Sequence, residues 1–299
     1  STSVDTETSI KILSDVEFTL NGIYSTMQSS DAYSGRLVYY GDVTGDDMQA
    51  VSSTKRVANY YRFNFTKDDN PSSHWSYLYS IIQNCNLILM NIDKLVIDED
   101  DKAYRDDLKG EALAIRGLAL FDLTRIFGYP YLKDKGASLG VPIIEGLSTI
   151  DSKPTRNTVA QCYTKIIDDL TQSLSLLGEK FNKGKINKWG AMVLLSRVYL
   201  YKGENANALK MASDAITGAE KNKYALWTHE DYPTAWGEDA SASKPGEVLF
   251  EIVNLTTDSP GKESMGYLNS YDGYDDMCIT CSFYQFLKED PKDIRLKLL

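Results

Sequence analysis

Apolar residues recur at steps of three and four through most of the middle of this chain, and no other feature restricts its fold as tightly. After Trp75, Leu78, Ile82, Cys85, Leu89 and Ile92 fall on one side of an α-helix spanning 75–95. Beyond the acidic run Asp98–Asp101, Leu108, Ala112, Ile115, Ala119, Leu123 and Ile126 keep the same stride over 104–127, and Gly128 and Pro130 stop it. A third helix opens at Asn157 with Tyr163, Ile166, Ile167, Leu170, Leu174 and Leu177 inward, and ends at Gly178. A fourth runs from Asn187 to Tyr201 with Gly203 beyond it. A fifth runs from Glu204 to about Thr217, with Ala208, Met211, Ala212 and Ala215 on one side. An earlier helix starts at Ser14, with Glu17 completing a capping box and Phe18, Ile23, Tyr24 and Met27 as its apolar face.

The last two of the five form a hairpin whose alanines sit where two helices must approach closely. Leu195, Tyr199 and Ala208 give it the spacing of a tetratricopeptide unit. No heptad persists long enough for a coiled coil, so the pairs are expected to stack as divergent repeats, each burying its apolar face on the next. Between and after the helices the regularity fails. Residues 29–73 carry Gly35, Gly41, Gly45 and Pro71 among Asp42, Asp46 and Asp47, which is too long for an idle connection. Beyond residue 220, Glu247–Val253 alternates like a strand and Tyr267, Tyr271 and Tyr274 lie among Gly, Asn, Ser and Asp. The expected fold is mainly α: one domain, 1–299, of divergent tetratricopeptide-like helical hairpin repeats over 14–28, 75–127 and 157–218. To it is added an irregular, loop-rich lobe with short strands, 29–73 and 220–299, that carries the ligand face. The first ten residues read as an arm over the surface.

Charge narrows the functions. Forty-two acidic against 32 basic side chains leave a net charge of -10, which repels nucleic acid phosphates and an anionic membrane surface alike. No stretch approaches 18 uncharged apolar residues, the length a spanning helix needs. Two histidines leave little for metal sites or His-based catalysis, and no cofactor is implied. Cys278 and Cys281 form a CxxC without a second pair or a nearby His, so they read as incidental thiols or one local disulfide. No Gly-x-Ser-x-Gly elbow, Walker loop or HExxH occurs, and carboxylates in an acidic protein do not by themselves argue for glycoside hydrolysis. Twenty Tyr against nine Phe is the unusual count, and it points to surfaces that are apolar and wet at once.

A sugar presents apolar C–H faces inside a rim of hydroxyls, so its site needs flat aromatics beside planar hydrogen-bonding groups. Tyr267, Tyr271 and Tyr274 with Asn269 supply both on one loop; the bland reading tucks these tyrosines against the helices. Asp272, Asp275 and Asp276 lack the alternate spacing of a calcium loop and read as solvated charge. Tyr39 and Tyr40 are candidate cleft residues, though adjacent residues on an extended chain point opposite ways. Trp75 is a candidate stacking ring, although its place at the head of an apolar stripe favours core packing over that role. Glu111 and Arg116 read as a buried structural ion pair holding the repeats in register, in preference to a catalytic pair.

The order of motifs resembles the SusD/RagB family. Trp75-x-x-Leu-Tyr-x-Ile-Ile-x-x-Cys-Asn86 and Gly110-Glu-Ala-Leu-Ala-Ile-Arg-Gly-Leu-Ala-Leu-Phe-Asp-Leu-Thr-Arg-Ile-Phe-Gly128 carry most of the likeness. Gly140-Val-Pro-Ile143, Lys185-Ile-Asn-Lys188 before Ala191, Arg197-Val-Tyr-Leu-Tyr201, Phe250-Glu-Ile252 and a loosened Asp290-Pro-x-x-x-Arg295 extend it over nearly the whole chain. The resemblance implies a non-catalytic outer-membrane lipoprotein of Bacteroidetes. Such a protein faces outside, captures a glycan or other nutrient, and passes it to a SusC-like TonB-dependent transporter. Membrane attachment would be through an N-terminal lipid only. The family's lipid-bearing cysteine is absent and its chains run longer, so the chain is expected to be a trimmed one that continues past Leu299. Two rivals stand beside this reading: a peptide or glycoprotein binding module, which the resemblance equally implies, and a glycoside hydrolase. A pure scaffold is the third.

Overall fold

A computed structural model of the chain describes residues 9–66, 72–149, 151–182, 184–235 and 246–298. Most of the expected N-terminal arm, 1–8, and the breaker Pro71 lie outside the described residues. The fold is mainly α. The chain divides into two compact units. One comprises Ser1–Thr26, Ser76–Ala225 and Val248–Glu251, the other Met27–Trp75, Leu226–Glu247 and Ile252–Leu299.

The first unit is the helical one: α1 (Leu13–Met27), most of α4 (Ser72–Asn91), α5 (Lys102–Phe127), α6 (Val159–Leu176), α7 (Lys188–Lys202) and α8 (Asn205–Lys221). In the second unit are α2 (Arg36–Val43) and α3 (Ala58–Tyr61). Local chemistry sets the helix ends. Thr158 caps α6 by accepting the Gln161 amide while the Gln161 side chain accepts the Thr158 amide, a reciprocal capping box. Asn157, expected to open this helix, instead accepts the Ile143 amide at 2.9 Å. Asn187 caps α7, and Gly203 ends it in the left-handed region at φ 83°, where a Cβ is unfavourable. Helix crossings fall on glycines: a Cβ on Gly117 would lie 3.0 Å from Leu170, one on Gly110 2.9 Å from Leu177, and one on Gly218 2.0 Å from the Trp189 ring.

Three expectations about buried faces need correction. Phe18 is 80% exposed, and Val16 and Leu20 join the expected Ile23 and Met27 on the buried face of α1. On α4, Ile88 is buried where Leu89 was expected, because the inward stripe shifts by one residue. Glu111 and Arg116 do not pair. Five residues apart, they point about 140° away from each other on the helix. Arg116 reaches α6 and grips Asp169 with two hydrogen bonds of 2.6 and 2.7 Å, while donating to Asn86 on α4 at 2.8 Å. Asn86 in turn donates to the carbonyls of Ile144 and Gly146. Glu111 accepts the Tyr24 hydroxyl at 2.6 Å; burial pushes its pKa up to about 7.

Among its described residues the second unit carries short elements around its own core. These are α2, β1 (Met48–Ala50), α3, α9 (Tyr232–Ala235), α10 (Met265–Asn269), β2 (Met277–Ile279) and α11 (Cys281–Lys288). Tyr39, Val43, Val57, Leu268 and Met277 form that core. β1 and β2 pair antiparallel with Gln49 opposite Cys278, so the 29–73 excursion and the tyrosine segment share one ribbon. Glu247–Val253, expected as a strand, lies in irregular backbone. Its alternation is real, but among the described residues no strand completes a ladder with it. All four cysteines are free thiols, Cys281 exposed at the start of α11 and Cys278 half-buried in β2.

Candidate ligand-binding site

The tyrosine loop is built on α10. Ser264 caps this helix by accepting the Tyr267 amide, and Leu268 anchors it in the core. Tyr267 and Asn269, on either side of that anchor, are left half-buried. The chain then doubles back, with the Tyr274 amide donating to the Tyr267 carbonyl and the Asp276 amide to the Leu268 carbonyl, both at 2.9 Å. Gly273 allows this reversal, since a Cβ there would sit 1.9 Å from the Tyr267 carbonyl oxygen. The fold thus stacks Tyr267 and Tyr274 edge to face, centroids 5.2 Å apart and planes at 86°. Tyr271 stands at the turn, 89% exposed, and Tyr274 is 38% exposed.

Charged side chains gather around the pair. The Arg56 guanidinium lies 4.0 Å over the Tyr274 ring, and the Lys262 ammonium 6.0 Å from the centre of Tyr267. Lys55 donates to the Tyr274 carbonyl. Arg56 also meets Glu263 at 3.3 Å and Asp276 at 3.4 Å. Asp276, expected as solvated charge, is 3% exposed, and its Oδ2 has no hydrogen-bond partner. Burial raises its pKa; Arg56 and Lys55 oppose that rise. Among the described residues no three His, Cys, Asp or Glu side chains converge as metal ligands.

The other nominated residues are placed differently. Tyr39 belongs to the core at 2% exposed, with its hydroxyl accepting from Arg36 at 3.1 Å, so its ring has no face to offer. Adjacent residues on α2 do not share a side, and the helix turns Tyr39 inward. Asn269 donates its amide to the Met265 carbonyl of its own helix, and its Oδ1 is buried without a partner. Trp75 lies half-buried in the first turn of α4, on a different element from the tyrosine loop. Two groups escaped the sequence reading. One is Lys55-Arg56. The other is the aromatic run Tyr60, Phe65 and Phe63, onto which the candidate Tyr40 packs: Tyr40 meets Tyr60, Tyr60 meets Phe65, and Phe65 meets Phe63, centroids 5.4 to 6.3 Å apart. Phe63 is 65% exposed and held at φ 54°, a region costly for a bulky side chain. Alternation in Tyr61-Arg-Phe-Asn-Phe65, aromatic rings interleaved with planar polar groups, was the available signal.

A sequence profile for a SusD-like family, described as starch-binding and associating with the outer membrane, matches residues 2–200, two-thirds of the chain. The chain belongs to the SusD-like family. Solved SusD-like structures agree over its length. It covers 98% of its residues, at 82% identity and a TM-score of 0.95, against a putative sugar-binding protein of Bacteroides vulgatus. A SusD superfamily protein of the same organism is 38% identical, with a TM-score of 0.90 over 97% of the chain. This chain spans 65% of the length of each of those two proteins. A SusD-like protein of Bacteroides ovatus is 27% identical over 135 residues, 44% of this chain and 23% of the relative. A laminarin-binding SusD-like protein shares the fold at 19% identity, with a TM-score of 0.74 over 95% of this chain and 66% of that one. No helix among the described residues is long and apolar enough to cross a membrane.

Proposed function

We propose that this SusD-like chain captures an oligosaccharide at the outer face of the cell, without cutting it, and hands it to a SusC-like TonB-dependent transporter. A lipid anchor would hold it to the outer membrane, as the family resemblance implies. The observation that carries the reading is the tyrosine loop: an edge-to-face pair beside a fully displayed ring, rimmed by Arg, Lys and carboxylate groups. Such a surface offers a pyranose both an apolar platform and hydrogen-bonding partners. Membership in a family described as starch-binding, and 82% identity to a putative sugar-binding protein, support the same class of ligand.

Calorimetric titration with maltooligosaccharides, laminarin oligosaccharides and a wider glycan panel tests this. Binding is expected with chain lengths unchanged after incubation; shortened products would establish the hydrolase instead. If alanine at Tyr267, Tyr271 and Tyr274 in turn leaves the affinity for the bound glycan intact, the site lies elsewhere. Phe63 and Phe65, rings without hydroxyls displayed on one short stretch, favour a second reading, a peptide or glycoprotein ligand. Binding of a peptide library with no response to glycans would select it.

A further inference from the structure

Arg56 reaches the tyrosine loop from the other half of the ribbon. Its guanidinium lies 4.0 Å over the centre of Tyr274, while Nη1 approaches Glu263 at 3.3 Å and Nε approaches the buried Asp276 at 3.4 Å. The preceding residue, Lys55, donates to the Tyr274 carbonyl. The Val51 amide donates to the Asp276 carbonyl at 3.2 Å, continuing the strand pairing to the same place. One stretch, 51–56, therefore holds both the backbone and the ring of the loop.

We propose that Arg56 is the positioning residue of the tyrosine loop: by covering one face of Tyr274 it turns the Tyr267–Tyr274 pair into a support and leaves Tyr271 as the ring that meets the ligand. The inference rests on the reading that this loop is the ligand site. Exposure supports the division of labour. Tyr274, under the guanidinium, is 38% exposed; Tyr271 is 89% exposed on the turn between the paired rings. A planar guanidinium suits this work, because it stacks on a ring and still presents in-plane donors to two carboxylates. A lysine there would keep the charge and lose the plane. The arrangement also has an internal tension, since Asp276 Oδ2 is buried and has only the 3.4 Å approach of Arg56 to answer it. Asp276 is faced by Arg56, Lys55 and Glu263, and by the Tyr39 hydroxyl from the core. Protonating Asp276 removes the partner that holds Nε, so the hold on the ring is expected to loosen on acidification, and at a higher pH than for an ordinary aspartate.

The test combines glycan titration with amide exchange. Maltooligosaccharide or laminarin oligosaccharide, whichever binds wild type, is titrated against R56A, R56K, D276N and Y271A. Y271A and R56A are expected to weaken binding by roughly tenfold each, with R56K between R56A and wild type and the melting temperature of Y271A unchanged. Wild-type affinity should fall as pH drops from 7 to 4, whereas R56A and D276N lack the part of that fall due to Asp276. Y271A weakened with R56A unchanged would overturn the positioning role while leaving the site intact. All three tyrosine variants binding like wild type would overturn the site itself. Exchange at the Gly273 and Tyr274 amides decides the matter even if no probe binds. R56A should exchange there about fivefold faster or more, with R56K partly restoring protection, and unchanged exchange sinks the proposal.

Discussion

Arg116 in the helical unit and Arg56 in the loop-rich unit each face an aspartate, and the two pairs differ in nearly everything else. Arg116 holds Asp169 through two short hydrogen bonds, with side-chain exposures of 9% and 0%, and its Nη1 donates to Asn86. Lys165 adds a further contact to Asp169 at 3.3 Å and reaches Glu145 at 2.6 Å. Nearly every polar group there has an answer, so the network pins α4, α5 and α6 in one arrangement. Arg56 has the same chemical partner at 3.4 Å, is itself 35% exposed, and gives the buried Asp276 Oδ2 an ion-pair approach but no hydrogen bond. The difference teaches that the same residue pair locks a scaffold when fully bonded and buried, and poises a surface when half open.

Breaking the first pair should give the largest effect. D169A leaves the Arg116 charge buried and unpaired, and is expected to cost about 3–5 kcal/mol in chemical denaturation. If D169A unfolds like wild type, the network is ornamental and the contrast fails. Next comes Glu111, whose pKa in the fold is about 7 against an ordinary 4.5. Folding favours its protonated form, so its contribution is fully present below pH 4.5 and is lost as pH rises through 7. The wild type should therefore lose up to about 3 kcal/mol over that window relative to E111Q, read from denaturation midpoints at several pH values. A wild-type curve parallel to that of E111Q refutes the assignment.

The loop-rich unit should respond in function and hardly at all in stability. Y271A is expected to lose roughly 1–3 kcal/mol of glycan affinity while stability stays within about 0.5 kcal/mol. A large loss of stability would show that Tyr271 is structural, against its exposure. The smallest effect sharpens the comparison from the other side. F63G relieves a left-handed backbone at an exposed ring and should raise stability by about 0.5–1 kcal/mol, measured by thermal melting. Destabilisation instead would mean that the ring's packing on Phe65 outweighs the strain.

Legibility differed between the units for a physical reason. α4 to α8 were readable because a helix is determined by neighbours three and four residues away, and Asn187 and Gly203 mark α7 in the sequence itself. Thr158 in place of Asn157, and Ile88 in place of Leu89, are errors of one residue within elements otherwise read as helices. In the second unit short strands were expected, but neither their positions nor their pairing could be read. Three residues show no period, and Gln49 meets Cys278 across 229 positions. Tyr39 failed as a candidate because its neighbourhood, Val57, Leu268 and Met277, comes from remote segments. The tyrosine loop was visible by composition alone; its clamp, Arg56, was not.

The sequence by itself determined the helical scaffold, its caps and glycine stops, the net charge of -10 that sets it against polyanions, and the family its motifs resemble. All of these are local or additive properties of the chain. Tertiary structure alone decided which aspartate Arg116 grips, that Asp276 is buried and Tyr39 hidden, and that Arg56 lies on Tyr274. Those depend on contacts between residues dozens to hundreds of positions apart, whose pairing no local period encodes.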